Sequence, residues 1–242
     1  MVTFVFAMAS KLVLVPRHSR RAASVGSVMV VDPLSPSGIR VAYEQATAWY
    51  VERVAAVRTD QWQQPGLGEW TVRELVAHGA RSFKLVLDYL DASAGSTTTT
   101  LVGRGPVAYW ETIFGSMADD PDRRARLARQ VAERGRADAV ALGDDPVHAV
   151  WAMADAALNR LATTDDAAIV TSPFGSFTLC DYLPSRVMEL VVHGLDLCRA
   201  TDQASEPPAA ALATTRDALV RFADPVLLVL SLTGRAGYAV LS

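Results

Sequence analysis

Cysteine, lysine, net positive charge and long apolar runs are all scarce in this chain of 242 residues. Its two cysteines are too few for a disulfide framework, which fits a reducing cytoplasm. A formal net charge of −3 argues against a general nucleic-acid binder, whose phosphate contacts need a basic surface. No uninterrupted apolar run approaches the roughly 20 residues that a transmembrane helix needs. We therefore expect a cytoplasmic protein with neither a nucleic-acid nor a membrane partner.

The apolar content, in contrast, is ample. Half of the residues are hydrophobic and 20% are charged, which suits one folded domain. Abundant alanine, with 15 glycines and 12 prolines, favours helices over sheets. Cys180 and Cys198 could not form a disulfide if they shared one helix, because they would then lie about 27 Å apart.

Residues 1–28 differ in character from the rest. The apolar stretch from Val2 to Val15 is interrupted by Lys11, and arginines follow it instead of preceding it as in a signal peptide. We expect a flexible tail or an over-long start before Met29, and mass spectrometry of the native N-terminus distinguishes the two. The remaining chain is expected to form a helical bundle over residues 29–205 and a short helical C-terminal extension over residues 206–242.

Apolar periodicity and caps predict an all-α domain. Apolar residues at three- and four-residue spacing predict a first helix over residues 37–59, and a T-x-x-E capping box at Thr71 starts a second that runs to residue 91. Further helices are predicted over residues 106–134 (broken near 119–121), 146–163, 179–200 and 209–222. Residues 168–177 are rich in turn formers and predict a small β-hairpin. We expect Trp49, Trp110 and Trp151 in the core.

A polar stripe runs along the otherwise apolar segment of residues 181–199. Glu189 and His193 are four residues apart and share a helix face. Arg186 precedes Glu189 by three residues, and Asp196 follows His193 by three. A helix that is apolar almost all round is buried, so these charges must pair with one another or bind a metal ion. The spacing E-x-x-x-H alone is a weak metal signal, because buried ion networks imitate it.

A second histidine strengthens the metal interpretation. His78 lies seven residues into the second helix, after the Trp70-Thr71 pair. Glu74 and His78 also form E-x-x-x-H, but the capping box explains Glu74 better. His148 is expected at the surface, and Cys198 is expected to serve packing.

Two motifs together resemble a known family. Residues 70–78 read Trp-Thr-Val-Arg-Glu-Leu-Val-Ala-His, and an Arg-x-x-Glu-x-x-x-His-x-x-Asp helix follows about 110 residues later. The pair resembles the DinB-like superfamily and, within it, the actinobacterial group of mycothiol-dependent maleylpyruvate isomerases. The likeness extends from Ser37 to Arg235, where Thr233-Gly234-Arg235 is similar to the C-terminal turn of that group.

The resemblance implies a four-helix bundle with a buried divalent metal held by His78, Glu189 and His193. Two imidazoles and a carboxylate suit zinc, and three protein ligands leave a position open, as in catalytic sites. In the family that position takes the thiol of mycothiol, which becomes a thiolate at neutral pH. Addition to a double bond then permits isomerisation, and displacement of a leaving group gives S-transfer, so the expected substrate is a small electrophile.

Four further residues are expected to support catalysis or to bind the cofactor. Asp196 is expected to orient a histidine, and Arg186 to hold Glu189 or an acidic substrate, both in support of catalysis. Arg81 and Arg235 are expected at the cofactor, although Arg81 also fits a solvated helix face.

Other functions stay open. The metal could activate water for hydrolysis, or the triad could be structural in a non-catalytic DinB-like module that acts in regulation. An accessible site with thiol-dependent turnover favours an enzyme, whereas a sealed metal whose removal lowers stability favours the module. The arginine-rich residues 123–129 are expected to form a solvated face paired with nearby aspartates, including Asp119 and Asp120, rather than a nucleic-acid surface. The chain is expected to be a monomer or a homodimer.

Overall fold

The computed structural model describes residues 32–94, 100–116 and 120–235. Within these ranges the chain forms eight helices and one antiparallel pair of strands, which confirms the all-α fold with a small hairpin. The helices are α1 (Pro36–Ala55), α2 (Val72–Ser93), α3 (Ala108–Gly115), α4 (Pro121–Ala141), α5 (Pro146–Ala162), α6 (Leu179–Thr201), α7 (Ala209–Phe222) and α8 (Pro225–Leu232). The strands are β1 (Ile169–Ser172) and β2 (Gly175–Thr178). The predicted N-terminal segment 1–28 lies outside the described residues.

Helices α1, α2, α5 and α6 form the four-helix core. Helix α6 packs against α1 and α2, and α5 packs against the same two helices, so the four enclose one apolar interior. Helix α7 covers α1 and α6, α4 packs on α2, and the hairpin packs against α2 and α6. The largest fully buried side chains include Tyr43, Tyr50, Phe83, Phe177, Tyr182, Leu75, Leu183 and Leu190.

Side-chain caps explain where the helices begin. The hydroxyl of Thr71 accepts from the backbone N–H of Glu74, and the Glu74 carboxylate accepts from the N–H of Thr71 at 2.8 Å, which confirms the predicted capping box. Helices α4 and α5 each start with a proline at the first turn after an aspartate cap, Asp120 or Asp145. Thr178 caps α6 through the N–H of Asp181. The caps at Thr71 and Thr178 therefore determine where α2 and α6, the two helices that carry the sequence motifs, begin.

Two predicted helix ends are wrong. Helix α1 ends at Ala55 instead of residue 59, because the N–H of Arg58 donates to the side chain of Gln61 and the chain turns. Helix α4 continues to Ala141, past residue 134, because Gly135 packs beneath the ring of Trp70 rather than ending the helix.

One predicted core residue is also wrong. Trp151 is 53% exposed and stacks on His148, which is itself exposed as predicted. The buried face of α5 is formed by Val150, Ala154, Ala157 and Leu161. Trp151 lies one residue, about 100°, away from that stripe.

The cysteines lie near the two ends of α6 and are both free, as the helix spacing predicts. Among the described residues, no helix is both long and apolar enough to cross a membrane.

Candidate metal centre

Three side chains from two helices converge in the bundle. His78 comes from α2, and Glu189 and His193 come from successive turns of α6. Their potential ligand atoms all lie within 4.8 Å of one another. Nε2 of His193 is 2.9 Å from Oε2 of Glu189, and the rings of His78 and His193 meet edge to face with centroids 4.7 Å apart. The structure thus brings together the three residues that the sequence indicated.

The pKa values of the three triad residues are shifted by burial and by their mutual charges. Burial and the positive charge of His193 lower the pKa of His78 to about 3, so that its ring is neutral at pH 7. Burial alone would raise the pKa of Glu189, but the hydrogen bond from His193 and the charges of His193 and Arg186 lower it to about 2. Burial alone would lower the pKa of His193, but Asp196 and Glu189 outweigh it and raise it to about 9. Without a metal, His193 and Glu189 therefore form a buried ion pair.

The donor set fits a divalent metal ion. Nδ1 of His78 is buried and has no hydrogen-bond partner within the described part of the chain. Buried polar atoms without a partner are rare in folded proteins and call for an explanation such as a bound ion. Two imidazoles with one carboxylate also match the ligand sets of catalytic zinc sites.

Asp196 lies beside the Nδ1 edge of the His193 ring. One of its carboxylate oxygens lies 3.4 Å from Nδ1 of His193, and the other lies 3.6 Å from the guanidinium of Arg199. A carboxylate in this place fixes the tautomer and ring orientation of a metal-binding histidine. The geometry fits the orienting role expected for Asp196.

Trp70 covers His78, a contact that the sequence reasoning missed. The two rings are 4.6 Å apart between centroids. The indole also meets α4, where a Cβ added at Gly135 would lie 3.1 Å from the ring. The neighbouring Arg73 donates to the carbonyls of Ala139 and Gly143 at the C-terminal end of α4. The Trp-Thr-Val-Arg motif therefore starts α2, shields His78 and fastens α4.

Each ligand histidine is followed by a glycine that lets α1 approach closely. A Cβ at Gly79 would lie 2.2 Å from the hydroxyl of Tyr50, and one at Gly194 would lie 2.1 Å from the ring of Trp49. Both distances are far below van der Waals contact. The signal was present as a His-Gly pair inside two helices, where glycine is otherwise unfavourable.

Arg186 is buried, with 4% exposure, and its guanidinium carbon lies 5.2 Å from the ring centre of Tyr109 and 5.0 Å from that of Tyr182. Among the described residues it forms no ion pair with Glu189. Of the two roles expected for Arg186, direct holding of Glu189 is therefore not seen, and binding of an acidic substrate stays a prediction.

The other predicted basic residues lie outside the triad. Arg81 is partly buried and pairs with Asp138 of α4 at 2.6 Å, so it does not form the solvated face that was the alternative for it. Arg235 is exposed after α8, and its guanidinium donates to the carbonyl of Thr233. In the arginine-rich segment Arg126 pairs with Asp120 at 3.7 Å, as expected, whereas Asp119 lies outside the described residues.

Comparison with family models matches residues 43–198 to the mycothiol maleylpyruvate isomerase N-terminal domain. The chain belongs to this family. The match runs from α1 to α6 and includes His78, Glu189 and His193, so the predicted family is confirmed. Neither the search of curated proteins nor the search of solved structures finds a match.

In this mycothiol maleylpyruvate isomerase domain the triad is not sealed from solvent. His78 keeps intermediate exposure, and the side chain of Glu189 is 16% exposed against 7% for His193. The cluster is therefore buried but not completely shielded from solvent.

Proposed function

We propose that this chain is a metal-dependent enzyme that uses a low-molecular-weight thiol, mycothiol or a similar one, for isomerisation or S-transfer on a small electrophilic substrate. The observation that carries the proposal is the largely buried cluster of His78, Glu189 and His193 inside a mycothiol-family domain. The family supports the link to a thiol and to a small-molecule substrate. The cluster supplies the donor atoms for an ion.

His78, Glu189 and His193 would hold the metal, with zinc the best match to the donor set. When bound, the ion supplies a Lewis acid that lowers the pKa of a coordinated thiol and so provides a thiolate at neutral pH. His78 is already neutral and offers a lone pair without releasing a proton, whereas His193 must lose one.

The surrounding residues position the ligands and the cofactor. Asp196 holds the proton on Nδ1 of His193, which leaves Nε2 directed towards Glu189 and the ion. Trp70 keeps water from one face of His78. Arg81 is one turn from His78 and would contact an acidic or polar part of the thiol cofactor after exchanging its partner Asp138. Arg235 is proposed for the same cofactor from the C-terminal side.

The test of this function is thiol-dependent turnover by the zinc-loaded chain. We expect mycothiol, but not buffer alone, to support either cis–trans isomerisation of maleylpyruvate or transfer of the thiol to a chlorinated bimane with release of chloride. The Asp196→Asn variant should keep its fold and lose about 10- to 100-fold in zinc affinity or turnover, since a neutral amide orients His193 less well. Loaded protein that converts neither substrate with any thiol contradicts the proposal.

Zinc affinity should depend on pH through His193. Because its pKa is raised to about 9, His193 carries a proton at neutral pH that the ion must displace. The affinity should therefore rise about tenfold per pH unit, or roughly 30-fold from pH 6.5 to pH 8, and level off above about pH 9. Competition with a chromophoric chelator of known protonation constants measures this. An affinity that stays constant over this range would show that no proton leaves His193 on binding.

A further inference from the structure

Helix α8 exposes apolar side chains along its length. It contains no charged residue, and none of its eight residues is buried. Val226, Val229 and Leu232 are 65%, 59% and 70% exposed, and Leu227 is also exposed. No extensive packing joins α8 to another helix or strand of the described chain. A helix that is apolar on its outer side normally buries that side, so α8 lacks the surface against which it would pack.

The three most exposed residues of α8 form a single stripe. Val226, Val229 and Leu232 follow one another at three-residue spacing, so that successive side chains are rotated by only about 60° around the helix axis. These three residues are here named the α8 stripe. Single exposed apolar residues are common on protein surfaces, but a contiguous apolar patch marks an interaction site.

The chemistry of the α8 stripe favours a second copy of the chain as its partner. A charged partner surface would lose water against side chains that offer no hydrogen bond in return, which is unfavourable. A membrane-surface helix carries basic residues on its polar face, and α8 has none. The stripe of a second copy is equally apolar and uncharged. Two copies related by a twofold axis cover both stripes at once, in an arrangement that closes.

Two physical terms favour an antiparallel pairing of the two helices. The helix dipoles of the two α8 segments then attract each other, whereas parallel dipoles repel. Parallel pairing would also bring together the exposed Arg235 side chains that follow α8 in each copy, whereas antiparallel pairing separates them. With Val229 at the twofold axis, Val226 of one copy meets Leu232 of the other, because both lie three residues from the centre.

We propose that this chain forms a weak homodimer in which the α8 stripes of two copies pack antiparallel across a twofold axis. Together with the exposed residues that flank α8, the contact covers on the order of 1,000 Å² over both copies, which is typical of a weak or transient association. The proposal is independent of the metal centre, because His78, Glu189 and His193 lie on α2 and α6.

Sedimentation equilibrium of the full chain, from low-micromolar to near-millimolar concentration, tests the dimer. We expect the wild type to pass from monomer to dimer within this range. The Val229→Glu variant should associate at least about 30-fold more weakly, because it places two carboxylates together at the twofold axis. Its melting temperature at low concentration should equal that of the wild type, since Val229 is exposed in the monomer. Val140→Glu, at an exposed valine of α4, is the matched control and should associate like the wild type.

A pair of charge variants tests the antiparallel register. Val226→Lys alone and Leu232→Glu alone should each associate at least about tenfold more weakly than the wild type, because each leaves a charge against an apolar side chain. An equimolar mixture of the two should regain most of the wild-type affinity, since the register places the two opposite charges side by side. A nonspecific apolar contact would not be restored by mixing.

The proposal is overturned if the wild type stays monomeric over the whole range, if Val229→Glu associates as tightly as the wild type, or if the mixed charge variants stay monomeric. These outcomes are distinct from failure of the proposed function. A monomer that holds zinc and shows thiol-dependent turnover contradicts the dimer alone. A dimer with neither zinc nor turnover contradicts the proposed function alone.

Discussion

The His193→Ala variant is expected to lose its zinc, while the wild-type chain keeps about one ion per chain through dialysis against a weak chelator. Three protein ligands share the binding free energy, and removing the ligand at the centre leaves His78 and Glu189 on different helices. We expect the affinity to fall by at least about a thousandfold, on the order of 4 kcal/mol. Elemental analysis of the purified proteins measures the result.

His148→Ala is the matched control, because this histidine is exposed on α5, stacks on Trp151 and lies outside the triad. It should keep the full zinc content. Excess zinc should also raise the melting temperature of the wild type and of His148→Ala but not that of His193→Ala, since only a folded site is stabilised by mass action. If the wild type holds neither zinc, nickel nor manganese, the metal proposal is wrong and the buried charges of α6 serve the fold alone.

The Gly194→Ala variant is expected to lower the free energy of unfolding by about 3 kcal/mol. Its new Cβ would lie 2.1 Å from the ring of Trp49, deep between α1 and α6, where neither helix can move away without disturbing His193. For a chain of this size the melting temperature should fall by roughly 6–12 °C. Thermal and denaturant unfolding followed by circular dichroism measure both quantities.

Two comparisons isolate the steric cause. A Cβ added at Gly115, at the end of α3, meets no atom within 4 Å. The Gly115→Ala variant should therefore leave the free energy of unfolding unchanged or raise it by about 0.5 kcal/mol. Trp49→Leu removes the ring atoms that the new methyl group would strike. The double variant should therefore be more stable than the sum of the two single losses predicts. Strict additivity would show that the cost of Gly194→Ala does not come from Trp49.

Local signals sufficed for most of the secondary structure. The capping box at Thr71 and the Asp-Pro start of α5 lie within a few residues of the helices that they begin, so sequence can identify them. The errors at the ends of α1 and α4 arose where a side chain distant from the pattern intervened, Gln61 in one case and Trp70 in the other. Trp151 was assigned to the core by residue type, whereas its position beside the apolar stripe of α5 decides its exposure.

For the site, spacing within one helix was enough to place Glu189, His193 and Asp196 on a common face, because an α-helix repeats every 3.6 residues. The convergence of His78 on that face, the stacking of Trp70 and the gathering of Tyr43, Tyr109 and Tyr182 around Arg186 join segments far apart in the chain. Helical periodicity carries no information about which helices pack together. It therefore placed the polar residues of α6 on one face, while the packing of four helices determined how deeply they are buried and which charged groups surround them.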